Sequence, residues 1–95
     1  PPVLLASDVL RDPQAMLTRL CEALGVAFLP AMLSWAPGRR ATDGVWAPHW
    51  YAAVEASTGF EPWRPKSVAI PASHRPLLED CQRWYHKLHR HRLSP

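Results

Sequence analysis

PVLLASDVLRDPQAMLTRLCEALG, residues Pro2 to Gly25, is the stretch whose reading decides the fold. It begins with Pro2-Val3-Leu4-Leu5-Ala6-Ser7, an apolar run without alternation. Such a run fits a strand buried on both faces of a parallel sheet. Asp12-Pro13 then opens a helix, because Asp12 can cap free amides and Pro13 suits the first helical position. Met16, Leu17, Leu20, Cys21 and Leu24 fall at three- and four-residue spacing and make one apolar face. Gly25 suits the stop. A strand, a short loop and a helix laid back on the sheet are half of a βαβ unit.

A lone strand of this kind has no partners for its backbone groups. Only Ser67 to Ile70 offers a weak second candidate. The expected fold class is therefore an α/β fragment, mostly helical, with one N-terminal strand and about three helices. The chain has 95 residues and opens at Pro1-Pro2 without a methionine. Residues 1–95 are expected to form a single domain fragment of a larger protein, marginally stable in isolation.

Downstream, Phe28, Leu29, Met32 and Leu33 read as core contacts, with a short helix after Pro30. Ser34 to Gly38 is a loop closed by Pro-Gly turn chemistry. Pro48 can open a helix running to about Ser57, with Trp50, Tyr51 and Val54 on its inner face. Pro62, Pro65 and Pro71 then prevent helix formation. Phe60 and Trp63 are the expected anchors of that crossing segment. Ser73 can cap a last helix to about His89, with Leu77, Leu78, Cys81, Trp84, Tyr85 and Leu88 in helical period. Arg83, Lys87, Arg90 and Arg92 make its end basic, which complements the helix macrodipole.

Between these helical runs lies RRATDGVWAPHWY, Arg39 to Tyr51. Paired arginines offer fork-shaped donors suited to phosphate. Gly44 permits close backbone approach or positive φ. Trp46 and Trp50 supply flat faces. Two readings stand side by side: an anion site beside an aromatic wall, or a surface loop whose tryptophans plug the core and whose arginines are solvated. His49 reads as a structural hydrogen-bonding group.

Net charge is +3 with histidines neutral, which favours anionic ligands but is too mild to single out nucleic acid. Cys21 and Cys81 fall on apolar helix positions and read as buried thiols in a reducing, cytoplasmic setting, with a disulfide between them as the alternative. No run is long enough to span a bilayer. No Gly-rich phosphate loop, Cys-x-x-Cys or His-Glu-x-x-His pattern occurs. His86 and His89 lie one turn apart but His91 points elsewhere, so no metal site is expected. No catalytic residue is assigned.

The run LLASDVLRDPQAMLTRLCEALGVAF, Leu4 to Phe28, resembles a segment common to sulfotransferases. RRATDGVW followed by APHW is similar to a later pattern of that family, Arg-Lys-Gly-x-x-Gly-x-Trp with a trailing His-aromatic pair. Arg39 stands at the Arg position, Arg40 at the Lys, Gly44 at the second Gly and Trp46 at the Trp. His49 and Trp50 match the trailing pair. Ala41 departs at the first Gly and Val45 replaces a polar residue. Nearly the whole chain resembles the end of bacterial sulfotransferase-like proteins with the P-loop fold, and the part from PAMLSW to ASTGF is the most specific.

The resemblance implies the C-terminal part of a three-layer P-loop fold. It implies transfer of a sulfuryl group from 3′-phosphoadenosine 5′-phosphosulfate (PAPS) to an alcohol or amine. Arg39, Arg40, Gly44 and Trp46 would hold the cofactor's ribose phosphate, and His49 and Trp50 would line part of the acceptor pocket. The phosphosulfate loop and catalytic base would come from the other half of the fold. The alternatives are a binding module for an acidic protein or a single nucleic-acid strand, and a catalytically inactive scaffold.

Overall fold

The computed structural model describes all residues, Pro1–Pro95. Five α-helices follow in order: α1 Ala6–Arg11, α2 Pro13–Leu24, α3 Ala47–Trp50, α4 Ala52–Ala56 and α5 Arg75–His89. Single 3-10 turns at Pro30–Leu33 and Ala72–His74 complete the regular structure.

The Asp12-Pro13 pair makes the first joint. A residue before proline is pushed out of the α region, and Asp12 takes φ −144°, ψ 79°. This stops α1 at Arg11. The Asp12 carboxylate then accepts a hydrogen bond from the Ala15 N–H at 3.0 Å and caps α2. At the far end Gly25 adopts φ 68° and donates its N–H to the carbonyls of Cys21 and Glu22. The span expected for this helix, Pro13 to Leu24, is the one found.

The expected N-terminal strand is reduced to one residue. Val3 forms an isolated parallel bridge with Arg92, and the Leu93 N–H donates to the Val3 carbonyl at 2.9 Å. Leu4 and Leu5 have no ladder partner, and the chain enters α1 at Ala6. The second bridge, Ser34 with Gly59, is antiparallel. Ser67 to Ile70 forms no regular structure.

Two further helices depart from expectation. The helix expected from Pro48 to Ser57 is bent into α3 and α4 at Tyr51, which takes φ −99°, ψ 8°. Consecutive bulky rings at His49, Trp50 and Tyr51 lose side-chain freedom in a helix and weaken its propagation. Ser73 does not cap the last helix. Its hydroxyl lies 3.2 Å from His74 Nδ1, and Pro76 in the first turn sets the start at Arg75.

Only 3 of 95 residues are buried: Met16 and Cys21 on α2, and Ala47. Phe28 and Leu33 are half-buried, whereas Leu29 and Met32 are exposed. Trp50, Tyr51 and Val54 form no inner face and are exposed. Cys81 is exposed, contrary to the expected buried thiol, because no other long helix packs against α5. Both cysteines are free. Phe60 meets Trp35 edge-on at 5.4 Å, and Trp63 carries the Arg11 guanidinium 4.4 Å from its ring centre, so both act as anchors.

The accessible surface is 7809 Å². A compact chain of this mass would expose about 5,500 Å². The radius of gyration is 16.7 Å, against about 12 Å for a compact domain of this length. No helix is long and apolar enough to cross a membrane.

Two outcomes test this description. Urea unfolding of the 95-residue chain is expected to be shallow, with a stability well under about 5 kcal/mol, and a steep transition above that value would contradict it. Asp12→Ala is expected to remove about 1 kcal/mol of α2 stability. The readout is helical circular dichroism against temperature, and an unchanged profile would remove Asp12 as the cap.

Candidate functional site

Residues 34–60 build a frame around the arginine-rich loop. The Trp35 N–H donates to the Thr58 carbonyl at 2.9 Å, and the Gly38 N–H donates to the Glu55 carbonyl at 2.6 Å. The Trp35 indole N–H donates to Ser57 Oγ at 2.9 Å, and the Ser57 hydroxyl donates to the Val54 carbonyl. A Cβ on Gly59 would meet the Leu33 carbonyl oxygen at 3.3 Å, so the two segments approach closely there. Gly38 takes φ 114°, a conformation that glycine adopts without strain. Of the two uses open to Gly44, close backbone approach or positive φ, it does not take positive φ.

Within this frame Arg40 to Asp43 closes a turn. The Arg40 N–H donates to Asp43 Oδ2 at 2.8 Å, and the Asp43 N–H donates back to the Arg40 carbonyl at 3.1 Å. An aspartate that accepts from a nearby backbone amide is the usual Asx-type device. The Arg40 guanidinium folds back, donating to the Ala36 carbonyl at 3.1 Å and the Gly38 carbonyl at 3.5 Å. Part of its fork is thus spent on the loop itself. Arg39 is exposed and its guanidinium makes no hydrogen bond. The amides of Gly44, Val45 and Trp46 donate to no protein acceptor.

Trp46 does not plug the core. It is 62% exposed and stacks on Trp50, itself 75% exposed, with ring centres 5.6 Å apart and planes 24° from parallel. The loop therefore takes its shape from Asp43 and Arg40. His49 lies 6.4 Å from the Trp46 ring and makes no side-chain hydrogen bond, so it is not the structural bonding group expected. Glu55 Oε1 is buried without a donor. The structural parts played by Trp35, Ser57 and Glu55 left no signal in the sequence, because their partners lie across the loop.

No three metal-ligating side chains come together in the chain. At the basic end, Arg92 is an ion-pair partner: its Nε donates to Asp8 Oδ2 at 2.9 Å. Lys87 and Arg83 instead lie 5.1 and 5.2 Å from the Trp84 ring centre.

The loop thus presents an unengaged arginine, unpaired amides and an exposed aromatic stack, a set of groups chemically suited to an anion or a flat ring. A family model described as a sulfotransferase domain matches residues 2–91, and the chain belongs to that family. It is 40% identical over 92 residues to branched-chain-amino-acid aminotransferase-like protein 2 of Arabidopsis thaliana, covering 96% of this chain and 16% of that protein. It is 41% identical over 91 residues to branched-chain-amino-acid aminotransferase-like protein 1 of the same plant, again covering 96% of this chain and 16% of that protein. The chain thus spans 16% of the length of these curated relatives. No solved structure matches it.

Asp43→Ala is expected to open the Arg40–Asp43 turn. Trypsin should then cut after Arg39 and Arg40 several times faster, with little change at Arg19. Equal cleavage rates in both proteins would mean that the Asp43 contact does not shape the loop.

Proposed function

We propose that this segment supplies the ribose-phosphate side of a PAPS site in a sulfotransferase, which passes a sulfuryl group to an alcohol or amine. The observation that carries the reading is the Asp43-latched turn between Arg39 and Trp46, found in a chain of the sulfotransferase-domain family. Arg39 has its whole fork free for a phosphate, and the unpaired amides near Gly44 add neutral donors. Arg40 shapes the loop through Ala36 and Gly38 and offers its remaining donors. Trp46 and Trp50 present a flat face to a ring, and His49 and Trp50 border the acceptor side. PAPS supplies the activated sulfuryl group. The phosphosulfate loop and the base that takes the acceptor proton are assigned to another part of the P-loop fold.

This segment accounts for 16% of the relatives' length, so their aminotransferase-like names do not by themselves describe it. A fold hosts many chemistries, so the site rather than the family must carry the assignment. The exposed Trp46–Trp50 stack also favours a second reading, stacking of bases from a single nucleic-acid strand.

Calorimetric titration of the full polypeptide with the desulfated cofactor, at fixed salt, separates the two. A charge-assisted hydrogen bond to phosphate is worth about 1.5–3 kcal/mol, so Arg39→Ala is expected to weaken binding about ten- to a hundredfold. Arg40→Ala is expected to weaken binding and also lower stability, because two loop contacts are lost. Arg40→Lys should lose less binding than Arg40→Ala. Arg90→Ala should change little. Equal losses from Arg39→Ala and Arg90→Ala would mean general electrostatics. A single-stranded oligonucleotide binding more tightly than the cofactor would favour the second reading.

A further inference from the structure

Helix α5 carries one apolar face, which the rest of the chain covers only at its C-terminal end. At that end Tyr85, Leu88 and His89 turn toward Val3, Leu4 and Leu5, around a cavity of about 130 Å³. Toward the N-terminal end the same face carries Leu77, Cys81 and Trp84, spaced four and three residues apart and therefore in line on the helix, and Tyr85 and Leu88 continue it four and seven residues beyond Cys81. Leu77, Cys81 and Trp84 are all exposed, Leu77 at 62% and Trp84 at 52%. Among the helical elements only the 3-10 turn Ala72–His74 packs on α5. The stripe has a polar rim: Arg83 is held to Asp80 at 2.9 Å, and Arg83 and Lys87 lie over the Trp84 ring. An apolar centre with a tryptophan and a charged rim is the anatomy of a docking face.

We propose that this stripe is the face on which the remainder of the sulfotransferase domain of the same polypeptide packs. The inference rests on the reading of these residues as one part of that domain. Three observations select this occupant. First, the chain exposes 7809 Å², far above the value for a self-contained chain of its mass. Second, the matched segment makes up 16% of its relatives, so in them a much longer chain accompanies it. Third, a second copy is a poor fit. Three side chains in line on one helix offer roughly a few hundred Å² per copy, short of the ~800 Å² per partner of a stable interface. A covering domain adds contacts elsewhere, over exposed side chains such as Val26, Val68 and Ile70.

Cys81 sits in the stripe and reports on it directly. The test labels the full polypeptide with N-ethylmaleimide and reads Cys81 by peptide mass mapping, native and in urea. Covered by the domain, Cys81 is expected to react on the order of a hundredfold more slowly than in the unfolded chain, since reaction waits for local opening. Trp84→Asp should return most of that rate. A native rate within about threefold of the urea rate means an open face and overturns the proposal. Protection that disappears on dilution, together with a dimer in solution, assigns the face to a second copy and also overturns it. The cofactor titration is separate. If Cys81 is protected and the desulfated cofactor fails to bind, the docking face stands and the proposed cofactor site falls.

Discussion

The contact on which the rest depends is the clasp between the two ends. Arg92 donates to Asp8 at 2.9 Å, Leu93 donates to Val3, and the Arg92 guanidinium also reaches the His89 carbonyl at 3.1 Å. It joins positions 84 apart in sequence. Closing so long a loop carries a large entropic cost. The Asp8 side chain is 12% exposed, so the pair works in a less screened setting than the surface pairs at Arg19–Glu22 and Arg83–Asp80. Among the helical elements α5 packs only on its own 3-10 leader, so the clasp is what ties its far end to the N-terminal segment.

Elsewhere the chain is held by local contacts. Consecutive helices α1 and α2 share the Asp12 joint, and α3 and α4 share Tyr51. Hydrophobic content of 47% is ordinary, yet three residues are buried. Burial contributes roughly 25 cal/mol per Å² of apolar surface, so side chains left outside contribute little here. The frame from Ser34 to Phe60 is the best-connected part, with crossed backbone bonds, an indole–hydroxyl bond and an aromatic contact. The arginine-rich loop is mounted on that frame, which is where a ligand-binding loop gains its order.

The loop divides labour between its two arginines. Arg40 is anchored by carbonyls two and four residues back, while Arg39 is left to solvent. The Asp43 carboxylate accepts from the Arg40 backbone amide and forms no ion pair with either arginine. The turn carries two guanidinium charges and one carboxylate charge. Trp46 and Trp50 stack on each other instead of entering a core, so their outer faces stay available.

Local chemistry was legible in the sequence. The Asp12 cap, Pro13, the αL conformation at Gly25 and the apolar face of α2 follow from rules that act within a few residues. The sulfotransferase resemblance was legible too, from the spacing of Arg39, Arg40, Gly44 and Trp46, and the family match over residues 2–91 agrees with it. The two curated relatives are plant proteins, so the resemblance is not confined to bacteria. Other outcomes needed the tertiary structure. A strand at Val3 requires a neighbour, and only Arg92 and Leu93 were in reach, so it became a single bridge. Periodicity marks an apolar face on α5 but does not say whether anything covers it, so Cys81 and Trp84 were exposed. Arg92 read as one more tail cation until folding placed Asp8 beside it. Sequence fixes what each residue can offer nearby; which distant partner accepts the offer is decided only when the chain closes.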